Sequence, residues 1–187
     1  MATRARAGPA AGRTGLTLIE LMITLAVMTV LGAVAMPSLS ALLSRQRLKA
    51  AAHHLQADLA LAKQQSGQRD LPVWVHFQTG AAWCYLVTTG PPIDCHQAQA
   101  DPAQGVLRIA SASNFPGIEL LQASSLSVDL SHPGRLPGLQ SAGQALFASR
   151  EGWQLRVQLG PQQRASVCSA GPAIGGTPPC AAAPAGP

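Results

Sequence analysis

Charge is scarce in this chain. Only 11% of its 187 residues are charged, against roughly 25% in an average soluble domain. That excludes a disordered polyelectrolyte and sits poorly with an ordinary hydrophilic enzyme. Long apolar runs are scarcer still. One stretch alone has membrane-spanning length, which excludes a polytopic membrane protein. The cysteines lack the CxxC spacing of a zinc or redox site. No nucleophile elbow, P-loop or zinc-protease motif occurs. Asp94, Asp101 and Asp129 are scattered and form no catalytic pair. No enzyme, cofactor or resident metal ion is therefore expected. With only three Trp, one Tyr and three Phe, Trp74, Trp83 and Trp153 are expected mostly in the core.

What is present is unevenly placed. The formal charge is +5, and a basic chain first suggests nucleic acid or an anionic membrane. Arg4, Arg6 and Arg13 lie near the N-terminus with no acid beside them. Without these three, the 13 Lys and Arg fall to ten against eight acids, a surplus of two. Hydropathy is equally local. Leu16 to Met36 read LTLIELMITLAVMTVLGAVAM, with Glu20 the only charge, and about 20 apolar residues span a bilayer as a helix. A secretory signal peptide is disfavoured. The run is long for one, and no small-x-small cleavage site follows it. Glu20 reads either as a snorkelling anchor residue or as an acid with a partner and a purpose.

The stretch Gly15-Leu16-Thr17-Leu18-Ile19-Glu20-Leu21 resembles the processing site of type IV prepilins and type II secretion pseudopilins. The resemblance implies cleavage between Gly15 and Leu16 by a prepilin peptidase, with methylation of the new N-terminus. Glu20 then becomes the fifth residue of the mature chain, where the family has its glutamate. In a filament core a carboxylate is costly unless paired, and a neighbouring subunit's α-amine supplies the partner. On that resemblance Glu20 sets axial register during assembly. The later pattern, with Val128-Asp129-Leu130, Gly134-Arg135 and a strand ending at Cys168, is similar to the GspH/FimT group of minor pilins.

The expected fold is α+β and pilin-like: a long N-terminal helix packed on an antiparallel β-rich head. Residues 1–15 form the leader, 16–36 the membrane or filament-core helix, and 37–67 its amphipathic continuation. Pro37 interrupts the helix, and Gly67 is the expected stop. Leu48, Ala52, Leu55, Leu59 and Ala62 form a stripe suited to packing on a sheet. Residues 68–169 form the head. Val73, Val75 and Phe77, then Trp83, Tyr85 and Val87, alternate across Thr79-Gly80 as a hairpin. Further strands are expected at 106–109, 126–130, 146–148, 154–159 and 165–168. The Ala, Gly and Pro-rich tail, 170–187, is expected to be irregular except where Cys180 holds it.

Cys84 and Cys95 are close in sequence, as are Cys168 and Cys180. Two local disulfides are the simplest reading, although four cysteines allow three connectivities. Disulfides imply an oxidising compartment, hence a periplasmic head. His54 and Asp58 share a helical face and read as an exposed pair rather than a metal site. His53, His76, His96 and His132 form no motif. Arg45, Arg47 and Lys49 suit lipid headgroups, acids on neighbouring subunits or a solvated face.

The resemblance implies a minor pseudopilin anchored in the bacterial inner membrane by a single pass. Its expected partners are other pseudopilins or minor pilins, the peptidase, the assembly platform and membrane lipid. The alternatives are a type IV pilus minor pilin in fimbrial biogenesis or DNA uptake, and a membrane-anchored periplasmic binding module. Some fimbrial members bind DNA through Gly-Arg-x-Arg before a late cysteine. Here Gln163-Arg164-Ala165-Ser166 keeps only Arg164, and one phosphate contact gives little affinity.

Overall fold

A computed structural model of the chain describes residues 17–91, 93–95, 97–98, 105–124, 126–128, 143–160 and 164–180. These residues adopt an α+β fold of one long helix, a 3-10 turn and two antiparallel four-stranded sheets. The chain divides into two compact units, Met1–Ser40 and Ala41–Pro187.

Helix α1, Leu18–Arg69, is 52 residues long. Leu, Ala, Met, Gln and Lys dominate it, all strong helix formers. Although the expected interruption coincides with a break between Leu18–Ala33 and Ser38–Arg69, the assignment of α1 continues through position 37, so the proline does not end the element. Nor does Gly67, which lies inside the last turn. The helix stops at Arg69, and Asp70 follows in the left-handed region at φ 54°. Aspartate tolerates that conformation better than most residues.

The two ends of α1 meet different surroundings. In the first unit, Leu18, Ile19, Leu21, Met22, Ile23, Leu25 and their neighbours are exposed. These apolar positions are interrupted only by Glu20 and Thr24, so they occupy every face of the helix. In the second unit, Leu48, Ala51, Ala52, Leu55, Leu59 and Ala62 are buried, as their spacing of three and four residues predicts. The change is abrupt. Leu43 is 47% exposed and Leu48 is 0%.

Strands β1 (Val73–Gln78), β2 (Cys84–Thr88), β3 (Val106–Ser111) and β5 (Leu126–Val128) form one sheet in the order β3-β2-β1-β5. The expected hairpin is its centre, with Val75 opposite Val87 and Phe77 opposite Tyr85. Gly80 takes φ 109° in the turn, a conformation that disfavours any side chain. Strands β4 (Ile118–Ala123), β6 (Gln144–Ser149), β7 (Gln154–Leu159) and β8 (Ala165–Ser169) form the second sheet, in the order β4-β6-β7-β8. An isolated bridge, Gly80 to Leu120, links the two sheets.

Strand β4 is the element that the sequence pattern omits. Glu119, Leu120, Leu121, Gln122 and Ala123 are helix formers without strict alternation. Pairing with β6 makes the segment a strand, and a register shift between Leu120 and Gln122 leaves Leu121 exposed. The expected strand at 126–130 is present as Leu126–Val128. Asp129, Leu130 and the Gly134-Arg135 stretch lie outside the described residues, as do His96, Asp101 and His132.

Trp83 stands where α1 and the two sheets meet. Its indole N–H donates to the Ile118 carbonyl at 2.8 Å. The ring stacks on Tyr85 and Phe115 and meets Phe147 edge-on at 5.3 Å. The other two tryptophans correct the expectation of a mostly buried set. Trp74 is 40% exposed, because it alternates with the inward Val73 and Val75 and so stacks with His76 on the outer face. Trp153 is partly buried and packs against the margin of the core.

Leu55→Ala should destabilise the head by about 2–5 kcal/mol in urea unfolding of the detergent-solubilised chain. Leu25→Ala, in the exposed part of α1, should leave that transition unchanged.

Candidate functional site

The N-terminal end of α1 carries the first group of candidate residues. Gly15 and Leu16 lie outside the described residues. Thr17 precedes the helix, and its hydroxyl accepts the Glu20 N–H at 3.3 Å, while its carbonyl accepts the Leu21 N–H at 3.1 Å. Thr17-Leu18-Ile19-Glu20 has the spacing of a capping box. Glu20 therefore has a local role that the family resemblance does not supply: it is the acid in the first turn of the helix, where the backbone dipole favours negative charge. The Thr-x-x-Glu signal was present in the sequence. Among the described residues no single helical segment is long and apolar enough to cross a membrane. Leu18–Ala33 and Ser38–Arg69 meet that requirement only as a pair, by length and composition.

A buried polar junction joins α1 to the first sheet. Tyr85 Oη donates to Asp58 Oδ2 at 2.8 Å. His54 Nδ1 lies 2.8 Å from Tyr85 Oη and 3.2 Å from Asp58 Oδ2, and Arg108 Nε lies 4.0 Å from Asp58 Oδ1. Because the Tyr85 O–H donates to Asp58, the contact with His54 Nδ1 is made with Nδ1–H as donor to the Tyr85 oxygen. The expected exposed His54–Asp58 pair is thus corrected. The His54 side chain is 46% exposed, but that of Asp58 is only 8% exposed. The i,i+4 spacing is as expected; the inward-facing Tyr85 converts the pair into an anchor. Burial, reinforced by the Asp58 charge and the hydrogen bond to it, pushes the Tyr85 hydroxyl far above its ordinary range. Among the described residues, no cluster of His, Cys, Asp and Glu suits a metal ion.

Lower on α1, the basic residues are engaged within the head. The Arg45 guanidinium lies 4.1 Å from the centre of the Trp153 ring, a cation–π contact. Lys49 Nζ donates to the Gly175 carbonyl. Ser44 donates to Glu151, and that bond holds the Glu151 carboxyl below its ordinary range. Arg45 and Lys49 do share a face, and the turn between β6 and β7 and the C-terminal segment are its partners. Arg47 is exposed.

Two disulfides, Cys84–Cys95 and Cys168–Cys180, are formed. The first packs with Leu86 and Ile109 in a small apolar cluster of its own. The second ties β8 to the C-terminal segment. That segment is better held than its Ala, Gly and Pro content suggests. Ile174 is buried in the core, and Ser169 exchanges backbone hydrogen bonds with Pro178 and Cys180.

Arg164 is exposed at the start of β8. It lines an open groove of about 460 Å³ between α1 and β8, together with His53, Gln56, Leu59, Ala60 and Lys63. Gln56 crosses the groove floor. Its amide receives His53 Nδ1 at 3.1 Å and donates to the Ala165 carbonyl at 3.0 Å. Among the described residues, the ionisable groups lining the groove are His53, Lys63 and Arg164, all bases. Sequence reading singled out Arg164 but not its neighbours across the groove, because more than a hundred positions separate them.

Tyr85→Phe removes the hydroxyl donor from buried Asp58 and should cost about 1–3 kcal/mol at neutral pH. The folded chain retains the Tyr85 proton where an unfolded chain releases it. Stability from this group is therefore complete below about pH 10 and lost as pH rises further. Urea unfolding at near-neutral and strongly alkaline pH should show a smaller alkaline loss in Tyr85→Phe than in the unaltered chain.

No protein-family model, curated protein or solved structure significantly matches this chain.

Proposed function

We propose that the chain is a minor pseudopilin, a structural subunit of the pseudopilus of a type II secretion system. The observation that carries this reading is the Gly15-Leu16…Glu20 motif running into the first turn of a helix with exposed apolar residues on every face. Such a surface is unfavourable in water and suits lipid or neighbouring apolar helices. The same helix then turns a narrow stripe into a β-rich head, so one element serves as stem and buttress. Two disulfides fit a head on the oxidising, periplasmic side of the inner membrane. In this reading the protein assembles and catalyses no reaction. Its partners are other pseudopilins, the prepilin peptidase, the assembly platform and membrane lipid.

Glu20 has two tasks in the reading. Within the subunit it favours the first turn of α1. Between subunits it meets the α-amine of a neighbour, and the apolar surroundings strengthen that attraction.

Mass spectrometry of the protein isolated from membranes should find a mature N-terminus at Leu16, methylated. A chain that keeps Met1 and the leader overturns the reading in favour of a plain membrane-anchored binding module. Glu20→Ala should be inserted and processed as usual but recovered from sheared filaments in severalfold lower amount. Deletion of the gene should abolish exoprotein release. Intact release with lost twitching or transformation would instead place the chain in a type IV pilus.

A further inference from the structure

The two disulfides differ in access. Cys84 and Cys95 are 0% and 5% exposed and lie with Leu86 and Ile109 in an apolar cluster. A thiolate reaches that pair only if the strands around it open. Cys168 is also buried, but its partner Cys180 is partly exposed.

The segment closed by Cys168–Cys180 is built as a strap. It leaves β8 beside the start of β7, where the Ala170 N–H donates to the Gln154 carbonyl at 3.1 Å. Ile174 to Thr177 then form a β-turn, closed by the Thr177 N–H on the Ile174 carbonyl at 3.0 Å. Gly176 takes φ 80° within it, as the third residue of a type II turn requires. The turn inserts Ile174 into the core and offers the Gly175 carbonyl to Lys49 of α1. The chain then returns to β8, where Ser169 bonds to Pro178 and Cys180. The strap thus touches β7, β8 and α1.

Apart from its disulfide, the strap has few attachments. Of residues 170–180, Ile174 alone is buried. Ordering such a segment costs conformational entropy, and one buried side chain with a few hydrogen bonds offsets only part of it. The disulfide supplies the rest by restricting the released chain.

We propose that Cys168–Cys180 is a redox latch, opened selectively by a dithiol reductant to release the strap while the rest of the head stays folded. A thiolate of the dithiol attacks Cys180 Sγ, the S–S bond breaks, and Cys168 Sγ leaves as a thiolate that takes a proton. The second thiol of the reductant then displaces Cys180 from the mixed disulfide. Both cysteines end as thiols, and the reductant ends as a disulfide. Release withdraws Ile174 from the core, parts Lys49 from Gly175 and uncovers the Ser169 N–H and carbonyl. Strand β8 is an edge of the second sheet, so these backbone groups become open to pairing with another chain. The latch goes beyond the assembly reading and does not depend on which filament the chain serves.

The test treats the full chain, in detergent micelles, with dithiothreitol and traps free thiols with iodoacetamide for peptide mass spectrometry. Cys168 and Cys180 should become alkylated at least about tenfold faster than Cys84 and Cys95. In the partly reduced chain, hydrogen exchange over residues 173–177 should rise to that of unstructured chain, while β1, β2 and β7 stay protected. A chain carrying both Cys168→Ser and Cys180→Ser should show the same pattern without reductant. If that variant does not fold, the partly reduced natural chain decides the point. Reduction of all four cysteines together, only as the head unfolds, overturns the proposal. So does a reduced strap that stays protected, because the bridge is then a plain cross-link. Loss of protection throughout the head on selective reduction overturns it as well.

Discussion

The head depends on one stripe of α1. Leu48, Ala52, Leu55, Leu59 and Ala62 are buried, and residues of both sheets belong to the same apolar cluster. Neither sheet has a sufficient core alone, because each needs a partner for its apolar face. The alanines matter as much as the leucines. Ala51, Ala52 and Ala62 belong to the same cluster, and Trp83 meets Phe147 of the second sheet within it.

Asp58 is the buried charged residue of α1 within that interface. A carboxylate among apolar neighbours is costly unless its oxygens are hydrogen-bonded. Tyr85 supplies the essential donor from the sheet, and His54 and Arg108 complete the surroundings. An apolar stripe alone permits sliding of a helix along a sheet. A short directional hydrogen bond from Tyr85 to Asp58 does not, so the junction fixes the register of α1 against β2. Arg45 on Trp153 and Lys49 on Gly175 add two further fixed points along the same helix. Two of the cations that sequence reading offered to lipid or neighbouring subunits thus help to hold the later part of α1 within the second unit.

Much of this architecture was legible because its signals are local. The periodic stripe, the Val73–Val87 hairpin and the alternation of β7 come from spacing within short windows. The pairing of neighbouring cysteines followed the same logic of proximity. What was not legible depends on residues far apart. β4 has a helix former's composition and becomes a strand through β6. The end of α1 passed Gly67 because tertiary packing continues to Ser66, which is buried. Trp74 looked like core because aromatics are few, yet strand alternation alone turned it outward. The groove was invisible because His53 and Lys63 belong to α1 and Arg164 to β8.

The sequence by itself determined the division of labour along the chain. It placed three of the five excess charges before residue 16, the apolar run after it and the alternating segments beyond Leu71, since composition and period are properties of consecutive residues. The tertiary structure alone decided what the polar side chains do. It turned an i,i+4 His–Asp pair into a buried anchor and a basic helix face into contacts with a turn and the C-terminal segment. It also brought His53, Lys63 and Arg164 to one groove. A polar group's role follows from its partner, and here each partner arrives from a distant part of the chain.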